Sequence, residues 1–94
     1  MATTEATTSA PSTQNTVSIE NFSFNPGEIT VKAGTEVTWT NNDSTIHTVT
    51  SDTNAFQSGN IAPGATFKFT FSQAGTFSYH CSIHSSMTGK VIVQ

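Results

Sequence analysis

The chain is 94 residues long, 34% hydrophobic and only 10% charged, so it holds one domain with just enough length to bury a core unaided. Three lysines and no arginine, against six acids, give a net charge of −3. That balance leaves no basic patch for nucleic acid and supplies a weak anionic field that bears on partner docking rather than on fold.

Residues 1–16 are almost entirely Thr, Ser and Ala with one proline and one charge. Such a segment has no apolar surface to bury and reads as a disordered tail or tether, leaving 17–94 as the domain. From Val17 the texture changes to period two. Val17 and Ile19 alternate with polar residues, and Phe22 and Phe24 continue after a phase change at Asn21. Asn25-Pro26-Gly27 signals a turn. Ile29, Val31 and Ala33 alternate next, followed by Val37 and Trp39, and then by the polar loop Asn41-Asn42-Asp43-Ser44. Residues 45–49 read as a further strand with His47 and Val49 on one face. Residues 51–64 lose the pattern, with Phe56 and Ile61 as plugs beneath a long loop. Phe67, Phe69 and Phe71 alternate cleanly; Phe77, Tyr79 and Cys81 share a face opposite Ser78 and His80; residues 89–93 close the domain.

No segment sustains helical periodicity. Seven or eight short strands about ten residues apart, punctuated by Gly, Pro and Asn, predict an all-β fold, a two-sheet Greek-key sandwich. Its predicted core face carries Val31, Val37, Trp39, Val49, Phe67, Phe69, Phe77 and Val91. The strand order does not follow from alternation. No apolar run approaches the length of a bilayer span. None reads as a signal-peptide core either, so any export signal is expected to have been removed or never to have been present.

The chemistry concentrates in Tyr79-His80-Cys81-Ser82-Ile83-His84-Ser85-Ser86-Met87, which holds the single cysteine and two of the three histidines. Cys81, His84 and Met87 follow one another three residues apart. Parity turns Cys81 inward from one strand and His47 inward from another, so both converge with the loop ligands His84 and Met87. A thiolate, two imidazoles and a weak thioether make the donor set of a copper electron-transfer centre. Taken singly, a lone cysteine is usually a small buried hydrophobe and a lone histidine a satisfied core residue; the joint pattern favours the metal. His80 points away and reads as an exposed sheet residue.

The stretch from Gly75 to Val91 resembles the C-terminal motif of the cupredoxins, the type 1 (blue) copper proteins. Within them it is most similar to the amicyanin and plastocyanin-like group, through Tyr79-His80-Cys81 and the short Cys-x-x-His-x-x-Met loop. Gly34-Thr35-Glu36-Val37-Thr38-Trp39-Thr40-Asn41 followed by His47 extends the resemblance to about residues 17–94. It implies one type 1 copper per chain, with His47, Cys81 and His84 as strong ligands and Met87 as the weak axial one. It implies a non-enzymatic carrier passing single electrons between protein redox partners through His84. A monomer with an extracytoplasmic location, periplasmic or at the cell surface, completes that expectation; the alternative is a copper carrier or buffer.

Three departures stand out. Ile83 replaces the relatives' proline, and its N–H is available to the Cys81 sulfur where proline has none, predicting a raised potential. Thr48 replaces an asparagine, keeping an N–H for the same sulfur. Ser85 and Ser86 replace proline and phenylalanine, thinning the apolar patch around His84 to Ile83, Ile46 and Pro63 and giving no support to an amine dehydrogenase partner.

Overall fold

The alternating runs become eight strands in a computed structural model that describes residues 15–94. They are β1 (Thr16–Glu20), β2 (Ser23–Asn25), β3 (Glu28–Val31), β4 (Thr35–Asn41), β5 (Thr50–Ser51), β6 (Thr66–Phe71), β7 (Gly75–His80) and β8 (Thr88–Val93). Two four-stranded sheets, ordered β2-β1-β4-β6 and β3-β8-β7-β5, pack as a sandwich. Both sheets are mixed: β1 runs parallel to β4, and β3 parallel to β8, while the remaining pairs are antiparallel. No helix among the described residues is long and apolar enough to cross a membrane.

Trp39 fills the centre. Fully buried on β4, it meets Phe67 of β6 and, edge-on across the sandwich, Tyr79 of β7, each with ring centroids 5.5 Å apart. Burying a large apolar side chain is worth roughly 1.5–3 kcal/mol, and an aromatic pair adds about 0.5–1.5 kcal/mol. Gly89 lies opposite Tyr79 in the β7–β8 register, and a Cβ there would stand 2.5 Å from the Tyr79 ring and hydroxyl. The missing side chain is the space that the tyrosine occupies, and burial pushes the Tyr79 hydroxyl up to about 12.

Several expectations change. Val31, Val37, Trp39, Val49 and Val91 are buried as predicted, as are the plugs Phe56 and Ile61. Phe67, Phe69 and Phe77 only pack against the core from its margin; β6 is an edge strand, and Phe71 is its one fully buried aromatic. Val17, Ile19, Phe24, Ile29 and Val93 complete the core. Residues 45–49 are not a strand. They make a single bridge, His47 with Ile61, and the polar Thr48 is buried alongside Val49, so strict alternation fails there. Residues 1–14 of the expected tail lie outside the described residues. Thr16 is already in β1, and Asn15 donates to the Glu36 carbonyl, so the fold begins before the expected boundary at Val17.

The phase change at Asn21 has a physical cause. Glu20 pairs with Ser23, so Asn21 and Phe22 form a two-residue hairpin turn rather than a continuing strand. Both residues are left-handed, at φ 53° and 56°, the conformation a type I′ turn requires. Glycine is favoured at the second position, and a side chain in that conformation costs about 1–2 kcal/mol. At the other end of β1, Asn15 and the C-terminal Gln94 line one shallow cleft together with Lys32 and Thr35.

Candidate metal centre

His47 is set by the end of β4. Val37, Trp39 and Asn41 all face inward, and Asn41 is a fully buried amide. Its Nδ2 donates to the carbonyls of Thr45 and Ile61 at 2.9 and 2.8 Å, and its Oδ1 accepts the Asp43 N–H at 3.0 Å. The loop is thereby wound around one side chain that satisfies the backbone a strand ladder would otherwise have engaged.

Asp43 carries the next contact. Its carboxylate accepts the N–H groups of Asn21 at 2.8 Å and Phe22 at 3.0 Å, and meets His47 Nε2 at 2.8 Å. The Phe22 N–H foremost, then His47 and Asn21, hold the Asp43 carboxyl below its usual range against the opposing effect of burial. An ionised carboxylate only accepts, so His47 carries its proton on Nε2 and leaves the Nδ1 lone pair free. That Nδ1 faces Cys81 Sγ at 3.8 Å.

Cys81 follows β7, with Tyr79 and Cys81 inward as parity predicts. The loop closes on itself: Cys81 N–H donates to the Met87 carbonyl at 3.1 Å, and Met87 N–H to the His84 carbonyl at 2.9 Å. This turn carries His84 Nδ1 to 3.7 Å from Cys81 Sγ and buries Met87. Thr48 stitches the two loops together. Its N–H donates to Cys81 Sγ at 3.4 Å, and its hydroxyl accepts the Ser82 N–H at 2.7 Å.

His47 Nδ1, Cys81 Sγ and His84 Nδ1 thus converge, with the ligand atoms of the three residues within 4.8 Å of one another. Burial resists ionisation of the Cys81 thiol, yet hydrogen bonding to the sulfur, the Thr48 N–H foremost, outweighs it and brings the group down to about 6. A thiolate flanked by two imidazole nitrogens, with a buried thioether on the same loop, fits copper.

The N–H that donates to that sulfur is that of Thr48, as expected. Ile83 makes no hydrogen bond to it among the described residues; its side chain is half exposed, and His84, one residue further, occupies the inward turn. The premise of an Ile83-raised potential therefore does not hold. His80 does lie on the opposite face, but it is paired, with Nδ1 2.6 Å from Asp52 Oδ1. Phe22 joins Ile46 and Ile83 as an exposed large hydrophobic, and its ring stands edge-on to both His47 and His84 at 5.3 and 5.0 Å. Asn41, Asp43 and Phe22 were not predicted from sequence. For Asn41 the signal was present, because β4 parity places it inward with Trp39.

The profile of the Cupredoxin-like domain family matches residues 1–93. The chain is 38% identical to the chloroplastic plastocyanin of Tetradesmus obliquus, over 76% of this chain and 58% of that one. It is 33% identical to amicyanin-alpha of Methylorubrum extorquens, over 96% of this chain and 80% of that one. Among solved structures it is similar to a purple cupredoxin from Nitrosopumilus maritimus, with 29% identity, a TM-score of 0.79, and coverage of 86% of this chain and all of that one. A family match across almost the whole chain, on a sandwich with a converged His-Cys-His cluster, has one conclusion: this protein belongs to the cupredoxin-like family.

Proposed function

We propose that the chain is a type 1 copper electron carrier. His47 Nδ1, Cys81 Sγ and His84 Nδ1 are its strong donors and Met87 its weak fourth. The observation that carries this reading is the convergence of two imidazole nitrogens on one buried sulfur, held by hydrogen bonds the protein makes by itself. When bound, copper supplies a one-electron Cu(II)/Cu(I) couple.

The residues do the rest. Asp43 fixes the His47 tautomer, Thr48 holds the sulfur from the neighbouring loop, and the Cys81–Met87 backbone bond keeps the ligand loop short. Each contact limits how far the ligands can move between the two charge states, which lowers the reorganisation that electron transfer requires. His84, half-buried and edge-on to the exposed Phe22, is the electron port. Partners are redox proteins that dock there, no substrate is transformed, and the carrier works as a monomer. The Thr/Ser/Ala-rich composition of residues 1–16 supports a tethered, extracytoplasmic placement, periplasmic or at the cell surface.

A visible spectrum after Cu(II) addition tests the function. An intense thiolate-to-copper band, lost in Cys81→Ser, is the expected result. A colourless protein that still binds copper would replace electron transfer with copper carriage or buffering.

A further inference from the structure

The Asn21-Phe22 turn breaks a local rule beside the ligand cluster. A type I′ turn prefers glycine where Phe22 stands, and Phe22, a residue 48% exposed, sits there at φ 56°. Exposure means that core burial does not repay the strained backbone. Two other contacts do engage it: the Phe22 N–H is held by Asp43 at 3.0 Å, and the ring stands edge-on to both imidazoles, which are themselves 5.0 Å apart. The same Asp43 carboxylate holds His47 Nε2, so one side chain fixes a ligand and the turn above it. Strained positions that survive without a packing reward are found where function selects them.

We propose that Phe22 is a lid, latched by Asp43, that closes the gap between His47 and His84 and keeps small exogenous ligands and thiol reagents from the Cys81 side of the site. Phe22 acts through the space that it occupies and donates nothing to the metal. For what is excluded from a bound ion, the proposal rests on the copper reading; for the sulfur it does not. Small anions such as azide are the chemical class kept out.

The test replaces Phe22 by glycine, which suits the turn and removes the ring. In the metal-free protein, alkylation of Cys81 by iodoacetamide at one fixed pH should accelerate about tenfold or more. Phe22→Tyr, which keeps the ring and can extend its hydroxyl into water, should remain as slow as wild type. The melting temperature of Phe22→Gly should be unchanged or higher, because the turn is relieved. In the copper-loaded protein, azide should shift the thiolate-to-copper band of Phe22→Gly and leave wild type unmoved. Wild-type alkylation rates in Phe22→Gly, an azide-insensitive Phe22→Gly band, or a marked loss of stability that marks the ring as a simple core plug would each overturn the proposal. A wild-type protein with no thiolate-to-copper band would remove the copper reading alone, since the alkylation comparison still decides the lid.

Discussion

The two histidines of the cluster have ring centroids 5.0 Å apart, yet the chain holds them in opposite ways. His47 stands on a loop with almost no regular structure and is fully buried, fixed by side chains: Asn41 organises its loop and Asp43 its tautomer. His84 stands on a loop closed by backbone bonds and is partly open to solvent. One loop trades regular structure for a network of polar side chains; the other needs little more than its length. The fixed histidine anchors the site, and the open one meets the outside.

Removing the sulfur common to both loops gives the largest effect. Cys81→Ser should abolish the visible band completely while leaving the far-ultraviolet circular dichroism of the sandwich intact. Asp43→Ala attacks the His47 side alone. Loss of such a ligand-orienting partner typically costs about 10–100-fold in metal affinity, and competition with a chelator would read it. A loss below about twofold would mean that the His47 loop is held without its carboxylate.

Gly89→Ala disturbs the strand beneath both loops. A Cβ 2.5 Å from the Tyr79 ring forces a packed aromatic to move, with a destabilisation of about 1–3 kcal/mol in urea unfolding. The Cys81 thiol gives a smaller, pH-dependent effect. Its pKa is lowered in the fold to about 6, so the stability it contributes is fully present above the unfolded thiol value of about 8.5 and is lost as pH falls through 6. Between those limits the metal-free protein should gain stability with rising pH, and Cys81→Ser should flatten that part of the profile. Ile83→Pro should change least. With the Thr48 N–H as the donor to the sulfur, the potential should stay close to wild type in a redox titration; a clear drop would assign a donor role to Ile83 after all.

Period two made the body of the sandwich legible, because each sheet buries one face and most inward residues are apolar. The clustering of His47, Cys81 and His84 was legible through spacing and parity. The sequence reading failed where side chains replace backbone pairing. Asn41 was assigned to a polar loop because a buried amide resembles an exposed one until its partners at Thr45 and Ile61 are known. Asp43 contacts Asn21 and Phe22 across 22 and 21 residues, a separation that no local pattern encodes. Phe22 kept its apparent alternation with Phe24 although a turn had intervened, and an aromatic in a left-handed position is what propensity argues against. The alternation of 45–49 survived only for its inward residues, since Thr48 finds hydroxyl and amide partners inside.

The shared cleft of Asn15 and Gln94 gives the molecule a direction. From Asn15, β1 runs toward the turn that carries Phe22, so both ends of the described chain leave from the pole opposite the ligand loops. A surface, a reporter or a neighbouring domain attached at Gln94 would therefore sit behind the sandwich and leave the His84 face pointing outward. Immobilisation through Gln94 should leave the His84 face open to an approaching protein.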